Sequence, residues 1–419
     1  SGFSVGLINI KQPTHKDYNA VFWFNILMGG SLYLLLVACA PLIAWYYNEP
    51  RLTSLCRYAF LTVVMSSMGT AQSAYLTKNM KVKEMAKTGM TAVLVSSIVG
   101  VSMAYFGMGY WALASQSIVF IGMNSLLLWV FSDWRPTFEF DFSPIKRMFR
   151  FSVKMLATNI INHVNNNVLN ILLGKYYSTT ATGYYNQAYQ WNFKLFSLVQ
   201  GMLYQVTQPM LVSLREEPGR QLNALRKLIR FTAFLSFPLL LGFGLVSTEF
   251  ISVTITDKWL PAAKLIKILC VGGAVMPLHT ALSYMVITKG RSDINFWCTI
   301  GLGLVEMLIM ITIWQLGITT MVVAYTSINV VWVLVWHFFV RRLTGYSLLH
   351  LLMDTVPFAL AAFGVMALCY VATMSITNNW LLLAARIPMA VVLYFAVMKM
   401  ARVKILDECL QFAKRKVKH

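Results

Sequence analysis

Between Ser152 and Lys175 the sequence reads SVKMLATNIINHVNNNVLNILLGK. A bilayer crossing takes about 20 residues, so this stretch is long enough to span. It carries Asn159, Asn162, His163, Asn165, Asn166, Asn167 and Asn170. Helical spacing places Asn159, Asn162, His163, Asn166 and Asn170 on one face. Carboxamides are neutral and both donate and accept hydrogen bonds, which suits them to polar, uncharged ligand groups. His163 has amide neighbours and no acidic partner nearby in sequence, so it is not read as a catalytic base. A polar face within a membrane is costly unless it meets water or another polar face. It is then either the wall of a hydrated cavity or a set of amides bonding packed helices together. One or two Asn would suit the second; seven polar residues favour the cavity wall.

The next apolar stretch is also polar along one side, with Ser197, Gln200, Gly201, Tyr204 and Gln208 sharing a face and Pro209 placed to kink it. Lys194 lies about three turns inside this stretch. It either faces the cavity and binds an anion such as diphosphate, or snorkels to the outer interface. Arg386, six residues into the last apolar stretch, has the same two readings, of which snorkelling is favoured. Glu306, in GLGLVEMLIMI, is the one acid deep in an apolar stretch. It is a candidate for ion coupling; the alternatives are pairing with a cation from another helix, or a neutral structural role. The candidate substrate-binding set is therefore Asn159, Asn162, His163, Asn166, Asn170, Lys194, Gln200, Tyr204 and Gln208, with Glu306 as the ion-coupling candidate. No nucleophile elbow, P-loop, HExxH or paired-acid motif is present, and no enzyme site emerges.

The elements that must hold these residues follow from composition. The chain is 58% hydrophobic and only 12% charged, against about 25% charged in soluble domains. Apolar stretches recur at 20–47, 52–76, 88–106, 109–131, 152–175, 184–212, 230–249, 262–288, 294–315, 317–340, 350–373 and 380–400, giving about twelve spans of a polytopic all-α membrane protein. The net charge of +20 does not indicate nucleic acid. Lys and Arg gather instead in alternate loops and in the tail VKILDECLQFAKRKVKH, which the positive-inside rule places in the cytoplasm. The tail either lies on the anionic inner leaflet or is solvated. The outer loops are short, and Tyr176, Tyr177, Tyr184, Tyr185, Tyr189 and Trp191 around one of them read as an interfacial aromatic belt. The six Cys have no metal-ligand spacing and read as free, buried thiols, so no metal or cofactor is implied. The chain starts at Ser1 without Met, inside an apolar phrase, and reads as lacking its true N-terminus. Pro41, Pro209, Pro238, Pro277, Pro357 and Pro388 are candidate hinges.

Two phrases recur at a shift of about 210. Leu76-Thr77-Lys78-Asn79 matches Ile287-Thr288-Lys289-Gly290, and each is followed by a span, a Gly-centred hairpin (Gly107, Gly317) and another span. APLIAWYYNEPRL likewise parallels TEFISVTITDKWL. The copies have the same orientation, as in transporters with parallel repeats that bind substrate between their halves. The stretch 152–175 begins the second half.

SGFSVGLINIKQPTHKDYNAVFWFN, Gly174-Lys175 with Thr182-Gly183-Tyr184-Tyr185-Asn186-Gln187-Ala188, Gln208-Pro209-Met210-Leu211 and Lys258-Trp259-Leu260-Pro261-Ala262 together resemble the oligosaccharide flippases, the Wzx-like lipopolysaccharide biosynthesis proteins of the multidrug/oligosaccharidyl-lipid/polysaccharide exporter superfamily. The resemblance implies about 14 helices, in two pseudo-symmetric six-helix lobes plus a final pair. On that plan residues 1–140 are an N-terminal lobe lacking its first helix and most of its second, 141–345 the C-terminal lobe, and 346–419 the last two helices and the basic tail. It implies movement of undecaprenyl-diphosphate-linked sugar repeat units across the bacterial inner membrane, with lipid-linked oligosaccharide and membrane lipids as partners beside a polysaccharide polymerase and other assembly proteins. The alternatives are a cation-coupled drug exporter of the same superfamily, using Glu306, and a membrane polymerase or ligase. The latter usually carries a large outer loop with catalytic charges, and no such loop is present.

Overall fold

In a computed structural model, the described residues are 12–403 with Phe3, Leu7, Ile405 and Leu406. Of the side chains within helices, those at 82, 147, 148, 150–152, 154, 155, 157–159, 162, 166, 204–206, 208, 209 and 212 lie outside that description, as does most of the basic tail. Among the described residues all regular structure is helical: α1 (His15–Tyr47), α2 (Leu52–Ala59), α3 (Leu61–Lys78), α4 (Val82–Tyr105), α5 (Tyr110–Phe131), α6 (Ser143–Tyr176), α7 (Thr179–Ser213), α8 (Pro218–Thr254), α9 (Leu260–Thr288), α10 (Ser292–Ile313), α11 (Ile318–Thr344), α12 (Leu348–Ala372) and α13 (Asn379–Met400). The protein is thus an all-α, multi-span membrane protein. Contacts divide the chain into two compact units, residues 1–160 and 161–419, with the boundary inside α6.

Nine helices among the described residues are long and apolar enough to cross a membrane. Set against the expected spans, the shortfall falls on α3, α6 and α7, which include the two Asn- and Gln-bearing helices. The single span expected over 52–76 is two helices. Thr62 Oγ1 donates to the Ala59 carbonyl at 2.7 Å, while the Val63 N–H bonds Phe60 O at 2.9 Å rather than continuing the ladder. A hydroxyl competing for a helical carbonyl in this way bends the helix.

In the first unit, α1 packs on α3, and α5 on both α3 and α4. α1 opens on a capping box, in which the Thr14 N–H and hydroxyl both donate to Asp17 Oδ2, at 2.8 and 2.7 Å. Gly29 lets α1 close on α3, since a Cβ there would lie 2.7 Å from Ser67. The polar segment after α5 is clasped by α1. The Thr137 N–H donates to Asn19 Oδ1 at 2.9 Å, Asn19 Nδ2 donates to Glu139 O at 2.7 Å, and Trp134 Nε1 donates to His15 Nδ1 at 3.0 Å.

In the second unit α9 is the most buried of the candidate spans, packed on α7, α8 and α11. The pair α12–α13 packs on α8, fixed by two ionic clusters, each built on a buried charge, Asp354 and Arg386. Asp354 accepts from Arg226 Nε at 2.9 Å, from Arg230 Nε at 2.5 Å and from the Tyr346 hydroxyl at 3.0 Å. Arg386 donates to Glu249 Oε1 at 2.8 Å and to Thr373 Oγ1 at 2.7 Å. Arg386 is therefore buried and paired, not snorkelling; with Glu249 within reach on α8, the inward rotamer is satisfied by a counter-charge.

The aromatic group expected at the interface is divided. Tyr176 is exposed and stacks on Trp314, whereas Tyr185 is fully buried and Tyr189 and Trp191 pack against the same core. The Pro-bearing helices α1, α8, α9, α12 and α13 run through Pro41, Pro238, Pro277, Pro357 and Pro388 without a break in assignment. Cys39, Cys56, Cys270, Cys298 and Cys369 are free, the first two only partly buried; Cys409 lies outside the described residues.

Candidate functional site

α6, α7, α9, α10 and α11 surround a cavity of about 400 Å³ within the second unit. α9 supplies a polar stripe, His279, Thr280, Ser283 and Tyr284, at the i, i+1, i+4, i+5 spacing of one helical face. α10 adds Asn295 and Thr299, α6 adds Asn165, and α7 adds Gln200. Tyr189, Phe193 and Trp336 give aromatic surface. Among the described lining residues none is Asp, Glu, Lys or Arg.

The polar groups are held in place. Gln200 Nε2 donates to Thr280 Oγ1 at 3.0 Å, joining α7 to α9. Asn165 Nδ2 donates to the Thr299 carbonyl at 2.7 Å, joining α6 to α10. A Cβ at Gly303 would overlap the Asn165 amide, so α10 must carry glycine there. His279 Nε2 lies 2.9 Å from the Asn329 carbonyl. A carbonyl only accepts, so Nε2 carries the proton and, in the neutral ring, Nδ1 remains an acceptor. Neutral donors and acceptors beside aromatic faces are suited to hydroxyl-rich, uncharged groups and give no charged anchor for a bare cation or a diphosphate.

Of the residues expected from the sequence, Gln200 lines this cavity. His163 is exposed, and its carbonyl accepts from Asn167 Nδ2 at 2.9 Å. Asn170 is half-buried, with its Oδ1 buried and unpartnered. Lys194 is exposed, outside the cavity, with Nζ 4.6 Å from the centroid of the Trp191 ring. The side chains of Asn159, Asn162, Asn166, Tyr204 and Gln208 lie outside the described residues. Glu306 is 2% exposed and also off the cavity; its Oε1 accepts from Asn329 Nδ2 at 2.8 Å.

The sequence reading missed Asn165 and the α9 stripe. Asn165 stands in register with Val168, Leu169 and Leu173, all buried, so it belongs to an apolar stripe rather than to the amide face. A lone amide heading such a stripe is the signal. The α9 stripe was legible as a run of polar residues just after Pro277 in an otherwise apolar helix.

A family described as polysaccharide biosynthesis protein matches residues 1–264. The teichuronic acid biosynthesis protein TuaB of Bacillus subtilis is 26% identical over 375 residues, which is 87% of this chain and 77% of TuaB. The lipopolysaccharide biosynthesis protein WzxC of Escherichia coli is 24% identical over 301 residues, 70% of this chain and 60% of WzxC. Among solved structures, the lipid II flippase MurJ in an inward closed conformation superposes with a TM-score of 0.76 at 15% identity, covering 97% of this chain and 89% of MurJ, and so shares its fold.

Proposed function

Because the chain belongs to the polysaccharide biosynthesis protein family, we propose that it moves lipid-linked oligosaccharide repeat units, carried on undecaprenyl diphosphate, from the inner to the outer leaflet of a bacterial inner membrane. The observation that carries this reading is the neutral, amide- and hydroxyl-lined cavity with aromatic walls inside a membrane-spanning helical unit. Sugars meet such a surface with their hydroxyls and their apolar ring faces. The cavity lies towards the α9–α10 turn, where Lys289 and Arg291 stand. The positive-inside rule puts that turn, with the C-terminus, in the cytoplasm, the side on which the repeat unit is assembled. The substrate crosses without a covalent bond being made or broken, by alternating access, and a polymerase or other assembly protein takes up the product outside. A neutral lining disfavours a small cationic drug as cargo, and by the same argument it receives the sugars of the repeat unit while the diphosphate and the lipid stay outside this cavity.

The test is a strain from which the encoding gene is deleted. Loss of surface polysaccharide with repeat units accumulating on undecaprenyl diphosphate at the cytoplasmic face, both reversed by the wild-type gene, is the expected result. Normal surface polysaccharide, or repeat units that reach the outer leaflet but stay unpolymerised, would sink the proposal.

A further inference from the structure

The polar face of α7 does not stop at the cavity. Outward from Gln200 it continues through Ser197, Phe193, Gln190 and Asn186, each three or four residues from the last and so on one side of the helix. Asn186, Gln190 and Phe193 are exposed, Phe193 to 41%. From Asn186 to Gln200 is about 21 Å along the helix axis, against a hydrocarbon thickness of about 30 Å.

Neither the Asn186 nor the Gln190 carboxamide has a hydrogen-bond partner among the described residues. Amides that tied packed helices together would be bonded, and amides turned to acyl chains would be costly. α7 is also absent from the nine helices apolar enough to cross a membrane. This face therefore meets water. Alongside it runs a column of rings one turn apart. Tyr185 stacks on Tyr189 with centroids 6.0 Å apart at 30°, and Tyr189 stacks on Phe193 at 6.1 Å and 25°. Phe196 meets Phe193 edge-on, at 5.2 Å and 81°. The Phe193 ring is thus held by its neighbours while it stays exposed. Tyr189 and Phe193 also wall the cavity, so the two polar regions meet at these rings. Gln190 and Asn186 follow one and two turns outward of Phe193. Lys194, the one charged residue of α7, is drawn over Trp191, with Nζ 4.6 Å from the ring centroid.

We propose that the outer half of α7 is a second saccharide subsite, in which Phe193 takes the apolar face of a neutral sugar ring while Gln190 and Asn186 bond its hydroxyls. The subsite presupposes the transport reading and extends the sugar path outward. Free amides beside a fixed aromatic face match a hydroxyl-rich, uncharged ring. An acyl chain would leave both amides idle. A phosphate would call for Arg or Lys, and the Lys194 charge is engaged with Trp191. With the α9–α10 turn in the cytoplasm, α7 begins on the outer side. A repeat unit leaving the cavity outward then exchanges one set of amides and rings for another.

The test is protection of a cysteine at the subsite, in the purified full chain in lipid nanodiscs. Gln190→Cys is expected to react with a water-soluble maleimide beyond the wild-type background. Soluble oligosaccharide, released by mild acid from the strain's own surface polysaccharide, is expected to slow that reaction about threefold or more, where glycerol at equal concentration does not. No reaction at Gln190→Cys, or one that the oligosaccharide leaves unchanged, overturns the subsite. In the deletion strain, Gln190→Leu and Phe193→Ala are each expected to export about tenfold less polysaccharide per folded molecule than the wild-type gene. Gln190→Leu keeps the wild-type unfolding temperature, since its amide has no partner to lose, and Phe193→Trp restores most of the export. If the wild-type gene restores export and Gln190→Leu exports as well as it does, the subsite is overturned and the transport reading stands. A deletion strain with normal surface polysaccharide overturns the transport reading instead, and cysteine protection then decides the subsite alone. Should Phe193→Ala not fold, Gln190→Leu decides.

Discussion

The first unit and the core of the second run comparable helices in the same order. In the first the order is α1, α2–α3, α4, α5; in the second it is α8, α9, α10, α11. α3 ends with the Lys81 N–H bonded to Leu76 O and the Met80 N–H to Thr77 O. α9 ends with the Arg291 N–H bonded to Val286 O and the Gly290 N–H to Ile287 O. This is the same Schellman cap at a shift of 210, one residue off the match made from letters alone. Both left-handed caps lead into the next helix, and a positive-φ glycine follows each of those helices, Gly107 and Gly317. The interiors then part company. In the first unit Ser67 and Ser96 bond carbonyls of their own helices, and Ser125 bonds the Met65 carbonyl on α3. The same shift sets Ser96 opposite Glu306. The second unit therefore holds a buried carboxylate and a polar cavity where its counterpart holds self-satisfied hydroxyls. Turn geometry and close packing are what the two copies share; polar chemistry is what distinguishes them.

The sharpest way to break this contrast is through ion pairs. Asp354 is buried beneath Arg226, Arg230 and Tyr346. Asp354→Leu leaves the buried Tyr346 hydroxyl and two partly exposed cations without their shared partner, and is expected to cost about 2–3 kcal/mol, seen as a fall in the unfolding temperature of the purified protein. One ion pair of the first unit, Lys81 with Asp133, is open to solvent on its Asp133 side, and Asp133→Asn is expected to leave that temperature nearly unmoved. If the two variants behaved alike, burial would not be what separates the units.

A smaller effect separates positioning from function. Asn165→Leu and Asn19→Leu each remove a side chain bonded to backbone, in the second and first unit respectively. Each is expected to lose about 1–3 kcal/mol of stability. Only Asn165→Leu also removes a cavity amide, so polysaccharide export per folded molecule is expected to fall about tenfold in that variant, equivalent to about 1.4 kcal/mol. Equal export by the two variants would detach the cavity from transport.

Much of the helical plan was legible in the sequence, because apolar runs, loop cations and Gly-centred turns are local signals. Gln200 was legible as well, since it stands in a face of like residues. Asn165 was harder, because its own helix gives it apolar company and its role is explained only by Thr299 and Gly303 on α10. Arg386 was misread for the same reason: its partner Glu249 is 137 residues away.

The finest test of the repeat lies in its shared cap. Met80 and Gly290 occupy the same left-handed position, with φ of 52° and 79°. An L side chain in this region costs about 1–2 kcal/mol, and glycine avoids that cost. A Cβ at Gly290 would meet nothing nearer than an Arg215 nitrogen at 3.7 Å, an ordinary contact, so the penalty there is one of backbone rather than of space. Exchange at equivalent positions should then act with opposite signs. Met80→Gly relieves strain and is expected to raise stability by about 0.5–1 kcal/mol, offset in part by the greater freedom of an unfolded glycine. Gly290→Ala introduces strain and is expected to lower stability by about 1 kcal/mol. Both are read as shifts in unfolding temperature. Shifts of the same sign would mean that the two turns differ in backbone, and that the match at 210 is one of letters and not of structure.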